Sequence, residues 1–211
     1  MFRKFIPALF VAASLGGSLT IGASIATAAD SQAAEHTRVR GSIVNATDST
    51  LKVKTREGDT VDIALAEGWK VSGVARAAIT DIKPGDYVGI ASLPKSDGGD
   101  GALEVLIFPP AMKGTGEGSF GWDLKPNSSM TNATVANAVK DVKGNALTVT
   151  YHGQQKTISI PDGTPVVTFA PATPADLKPQ AVVFVLAEKN AGGALSTHQV
   201  VVGTNGVVPP M

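Results

Sequence analysis

The chain has 211 residues, 18 Lys and Arg against 18 Asp and Glu, and no cysteine. Balanced charge excludes the basic surplus on which nucleic-acid affinity depends. The missing cysteine excludes disulfides, thiolate metal sites, thiol nucleophiles and c-type haem attachment, so the fold must rest on an apolar core, which this length allows.

Residues 1–28 read as a secretory signal peptide. Arg3 and Lys4 form a basic head, an uncharged apolar stretch follows from Phe5, and Ala26-Thr27-Ala28 supplies the small residues of a cleavage site. Gly16, Gly17 and Gly22 make the same stretch a poor membrane span. The expected mature protein is periplasmic or secreted, with no membrane span after cleavage. Loss of the leader removes two basic residues and no acidic one, so the remainder is slightly acidic. Residues 29–37 are expected to be a flexible arm.

From residue 38 the signals have period two. In "TRVRGSIVNATDSTLKVKTREGDTVDIAL", Val39, Ile43, Leu51, Val53, Val61 and Ile63 fall on strand-like alternations, with turns at Asp48-Ser49 and Glu57-Gly58-Asp59. A three-stranded antiparallel meander follows. "GWKVSGVARAAITD" (68–81) is read as a short strand at Lys70–Val74 and a short helix around Ala75–Asp81. A strand entered through Lys83-Pro84, a polar loop "PKSDGGDG" (94–101) and the strand "ALEVLIF" (102–108) complete a unit. The unit recurs about 95 residues later: "ATVANAVKDVKGNALTVTYHGQQKTISI" repeats the meander, a strand is expected at Val166–Phe169, and Lys178-Pro179, "EKNAGG" and "ALSTHQVVV" repeat the rest. Five short strands in about 70 residues leave exposed edges unless they close, and the five-stranded OB-type barrel has this size. The expected fold is all-β: two tandem OB-like barrels, 38–110 and 133–204, joined by a Gly-rich connector, 111–132, with a tail at 205–211.

The residues Gly116-Glu117-Gly118, Trp122-Asp123-Leu124 and Met130-Thr131-Asn132 carry a resemblance. With the strand pattern of roughly 38–203, the chain resembles a family of uncharacterised exported bacterial proteins built of small OB-like domains. The resemblance implies fold and compartment and little about chemistry.

The connector stretch "GTGEGSFGWDLKP" is not a phosphate loop: no Lys-Ser/Thr pair follows its glycines, and Pro126 interrupts any helix. It is read as a strap between barrels. Phe120, Trp122 and Leu124 alternate along it, and burial of the Trp122 ring would fix the barrels relative to each other. The sharper reading is a ligand site at the junction, with Trp122 as stacking surface and Asp123 or Glu117 as polar contact.

Of the three histidines, His36 falls in the arm, His152 at a hairpin tip and His198 on the last strand. His152 and His198 with a carboxylate would form a metal site only if they converged. Asp97 and Asp100 alone do not make a calcium loop. No G-x-S-x-G elbow is present. A carboxylate pair at the junction is the one hydrolytic arrangement left open, against little expected sugar-stacking surface, since aromatics are only 5% of the chain. The sequence therefore reads as a non-enzymatic exported binding or scaffold module without cofactor, its partner an unidentified protein or small molecule and not nucleic acid. A periplasmic metal-handling protein is the alternative, and a carboxylate-dependent hydrolase a further one.

Overall fold

The computed structural model describes residues 35–141 and 144–209. The expected signal peptide lies outside these residues. The described residues form twelve strands: β1 (Glu35–Ala46), β2 (Thr50–Thr55), β3 (Thr60–Arg76), β4 (Tyr87–Pro94), β5 (Asp100–Ile107), β6 (Gly118–Trp122), β7 (Ser128–Asp141), β8 (Gly144–Tyr151), β9 (Gln154–Ile160), β10 (Val166–Ala170), β11 (Val182–Lys189) and β12 (Leu195–Gly203). Among the described residues there is no α-helix, only three 3-10 turns, and no helix is long and apolar enough to cross a membrane.

The alternation works as read. Val39, Ile43, Leu51, Val53 and Ile63 are buried together, as are Val135, Leu147, Val149, Ile158 and Ile160. Three local expectations are corrected. The helix at Ala75–Asp81 is absent: the strand expected at Lys70–Val74 is the second half of the 17-residue β3, and only Ile79–Asp81 make a 3-10 turn. Gly68, at φ 72°, lies where β3 takes extra residues against β12, so the strand bends here instead of ending. Of the expected arm, residues 35–37 belong to β1, with His36 opposite Glu188. The connector contains a strand of its own, β6, and its last residues already belong to β7.

The order of strands departs furthest from the sequence reading, which gave each barrel one contiguous stretch. β1, β2 and β3 pair in sequence, but β1 then pairs with β11 and β3 runs parallel to β12. β11 and β12 pair with each other and close a five-stranded barrel. Reciprocally, β7, β8 and β9 pair in sequence, β4 lies on β7, and β5 lies on β4. β5 returns to β9 through the parallel register Asp100↔Ile158 and Gly101↔Ser159. Each half of the chain supplies three strands to one ring and two to the other. The physical reason is that β4–β5 and β11–β12 carry the same apolar pattern. Pattern selects the face a strand buries and not the partner it lies beside.

Two cores fill the rings. Val183, Val185, Val200 and Val202 pack with Leu51, Val53 and Ile63. Val88, Ile90 and Val105 pack with Val135, Leu147 and Ile158. A third cluster forms the seam between the rings. Val74, Leu106, Val167, Phe184, Val201 and Val207 are buried there, with Phe108 and Phe169 against them. β10 crosses the seam, antiparallel to β3 and parallel to β5. Val207, in the expected tail, is therefore part of a core.

Candidate functional site

The connector is held along its length. Gly114, Gly116 and Gly118 take positive φ. The Tyr87 hydroxyl donates to the Thr115 carbonyl at 3.0 Å, and Asn132 Nδ2 donates to the Gly116 carbonyl at 3.1 Å. Burial, with the Glu117 charge nearby, pushes the Tyr87 hydroxyl up to about 12. β6 then pairs with β7, placing Phe120 opposite Met130 and Trp122 opposite Ser128.

Each connector residue singled out from sequence has a definite place. Glu117 accepts the His152 backbone N–H at 2.8 Å and so latches the β8–β9 turn, where His152 sits at φ 46°. Asp123 is committed to an ion pair: Arg40 donates to its two oxygens at 3.1 and 2.9 Å, Arg38 lies 3.9 Å away, and Arg56 donates to its carbonyl at 2.9 Å. Burial raises the Asp123 carboxyl, but the Arg40 hydrogen bonds and charge, with the Arg38 charge, outweigh it and hold it below the usual range. Trp122 is half-buried, with the Arg38 guanidinium 4.1 Å above its ring and Phe120 edge-on at 6.0 Å. Asp123 thus ties the connector to β1, as a strap would, yet the crossed strands and β10 already join the rings. Phe120 is 40% exposed and does not follow Trp122 into cover.

A residue absent from the sequence reading lies at the centre of the site. Glu104 stands on β5 opposite Ala91. Burial pushes its carboxyl up to about 7, against the pull of the Arg40 and Arg56 charges. Its Oε1, Trp122 Nε1 and Asn132 Oδ1 are all shut off from solvent without a hydrogen-bond partner. These three residues line one cavity of about 80 Å3, walled by Phe108, Phe120 and Met130. A Cβ at Gly89 would come within 2.9 Å of Asn132 Oδ1 and 3.2 Å of the Phe108 ring, so only glycine leaves this space open. Glu104 also borders two larger clefts. One of about 400 Å3 is lined by Arg76, Thr164 and Val207. The other, of about 430 Å3, is lined by Arg40, Lys54, Arg56 and Leu124. The signal for Glu104 was present as the one charge in "ALEVLIF".

The histidines do not assemble a metal site. His152 is on the β8–β9 turn of one ring and the exposed His198 on β12 of the other. Among the described residues no group of three or more His, Asp or Glu side chains comes together. Asp97 pairs with Lys95 at 3.3 Å and Asp100 with Lys156 at 2.7 Å, so the "SDGGDG" loop spends its carboxylates on lysines.

Glu104 gives a pH signature. Its ordinary value is 4.5 and its native value about 7. Below the first, both folded and unfolded chains hold the proton. Between the two, only the folded chain does, so stability falls as pH rises, and above the second the loss is constant at about 3 kcal/mol. Glu104→Gln removes that loss. Denaturant midpoints should show the variant more stable than wild type above about pH 8 and equal to it near pH 4. A difference independent of pH would count against a carboxylate buried in this way.

The chain matches no protein-family model, no curated protein and no solved structure.

Proposed function

We propose that this is an exported, non-enzymatic binding or scaffold protein made of two OB-like barrels that exchange strands, with a small-molecule site at their junction. The order β1-β2-β3-β12-β11, with one parallel closure, supports the OB-like reading. The observation that carries the binding reading is that Glu104, Trp122 and Asn132, each holding a buried polar atom without a partner, line one aromatic-walled cavity. Buried polar atoms without partners are rare in folded proteins and mark places where a further group belongs. Of the residues named from sequence, Trp122 enters this reading through its indole N–H and not as the stacking surface. Asp123 and Glu117 act behind it, one fixing the strap to β1 and the other fixing the β8–β9 turn.

Native mass spectrometry of protein taken from its own host should show a retained small molecule that Trp122→Ala loses. A bare polypeptide mass, with only ordered water in the cavity in crystals, would overturn the reading.

One observation favours the hydrolase reading as a second possibility. Glu104 is raised and Asp123 lowered, the division of labour a proton donor and an ionised carboxylate require. Both Asp123 oxygens, however, accept from Arg40. Cleavage of aryl glycosides that disappears in Glu104→Gln would select this reading over plain binding.

A further inference from the structure

Resting on the binding reading, we propose that the cavity between Glu104, Trp122 and Asn132 takes a hydroxyl of a neutral polyhydroxylated ring, a sugar or cyclitol, whose apolar face lies on Phe120.

Valence selects the class. Trp122 Nε1 only donates. Asn132 Oδ1 only accepts, since the Nδ2 of the same amide is committed to Gly116. Glu104 Oε1 accepts when ionised and donates when protonated. A hydroxyl does both: it accepts from Trp122 and donates to Asn132 or Glu104, and two adjacent hydroxyls satisfy all three atoms. An ammonium has no lone pair for Trp122 and would sit near Arg38 and Arg40, whose guanidiniums lie 4.1 and 5.6 Å from the Trp122 ring. A carboxylate would be drawn by those arginines, but it has no proton for Asn132 and would face Glu104.

Size and surface select the ring. The space of about 80 Å3 is small beside the two neighbouring clefts, and the body of the ligand lies at its mouth. There Phe120 stands 40% exposed on β6, which pairs only with β7 among the described strands. Water alone would satisfy the polar atoms and leave Phe120 bare. A sugar does both, its C–H face covering the ring. Composition alone argued against sugar-stacking surface, yet Phe108, Phe120 and Trp122 gather around this one cavity.

The test follows the Trp122 indole N–H by NMR, its resonance assigned with Trp122→Phe. The probes are methyl α-glucopyranoside, methyl α-mannopyranoside, N-acetylglucosamine and myo-inositol, against cyclohexylamine and cyclohexanecarboxylate as charged rings of equal size. At least one of the hydroxylated probes should shift the signal saturably, and neither charged ring should. Phe120→Ala should weaken that binding about tenfold, as loss of one stacked ring implies. Glu104→Leu, which removes a buried carboxyl without adding charge, should abolish it, and Glu104→Gln should largely keep it. A larger shift from either charged ring, no saturable shift from any hydroxylated probe, or indifference to both Phe120→Ala and Glu104→Leu would overturn the proposal. If a retained molecule without hydroxyls is found in native protein, the ligand class fails and the binding reading stands. If nothing is retained and only water fills the cavity, both fail.

Discussion

A chain cut once inside the connector, between Gly114 and Gly116, should remain one particle. Each fragment would carry three strands of one ring and two of the other. Separation would therefore break β1–β11, β3–β12, β4–β7 and β5–β9 together, and the bridge β10 makes to β3 and β5. It would also open both cores and the seam, where each aliphatic side chain exposed costs about 1.5–3 kcal/mol. A protease site placed in the connector and cut under native conditions should leave the elution volume unchanged, with two fragments appearing only in denaturant. Release of two folded halves without denaturant would show that each barrel is contiguous after all.

Substitution of a core valine by aspartate should unfold the protein, and the damage should appear in the other half of the sequence. Val53, Val88 and Val149 are 0% exposed and Val183 is 1% exposed. A carboxylate at any of them has no partner and costs several kcal/mol, against a total stability of about 5–15 kcal/mol for a domain. Val183 packs with Val53 and Leu51, and Val88 with Val149 and Leu147. Under conditions where the variant remains partly folded, Val183→Asp should strip hydrogen-exchange protection from β1–β3 before β7–β9. Val88→Asp should do the reverse. The opposite order of loss would mean that strands and partners come from the same half.

These two experiments probe the feature that sequence reading missed. Strand positions were legible because Leu51 and Val53, or Leu147 and Val149, sit two residues apart with polar neighbours between. The repeat was legible because Lys83-Pro84 and Lys178-Pro179 each precede an apolar strand. Partner choice was not, because the repeat itself makes β4–β5 and β11–β12 equivalent by pattern. A partial hint lay in "ALEVLIF", "VVFVL" and "HQVVVG". These runs are apolar at neighbouring positions because Val105 and Val200 face a ring core while Leu106 and Val201 face the seam. The helix at Ala75–Asp81 failed because β3 continues to Arg76 beside β10, a tertiary pairing that local propensity cannot register. At the site, Trp122 and Asp123 stood out as chemistry in an odd loop. Glu104 is 18 residues from Trp122 in sequence and joins it at the cavity only through the crossing of β5.

The exchange also sets a clock on folding. During synthesis from the N-terminus, β1 is among the first strands of the barrel to emerge, but its Glu35 waits for Lys189 and β3 waits for β12. At ordinary rates of chain elongation that is an interval of roughly ten seconds or more. Throughout it, β1–β3 hold two unpaired edges, and β4–β5 lie within reach carrying the same pattern as the strands still to come. Early closure on these nearer strands would give a locally satisfied ring that must reopen before the native exchange can form. The protein is therefore one whose nascent chain gains from being held open until β11 and β12 arrive, because pairings of such long sequence separation are the slowest to form.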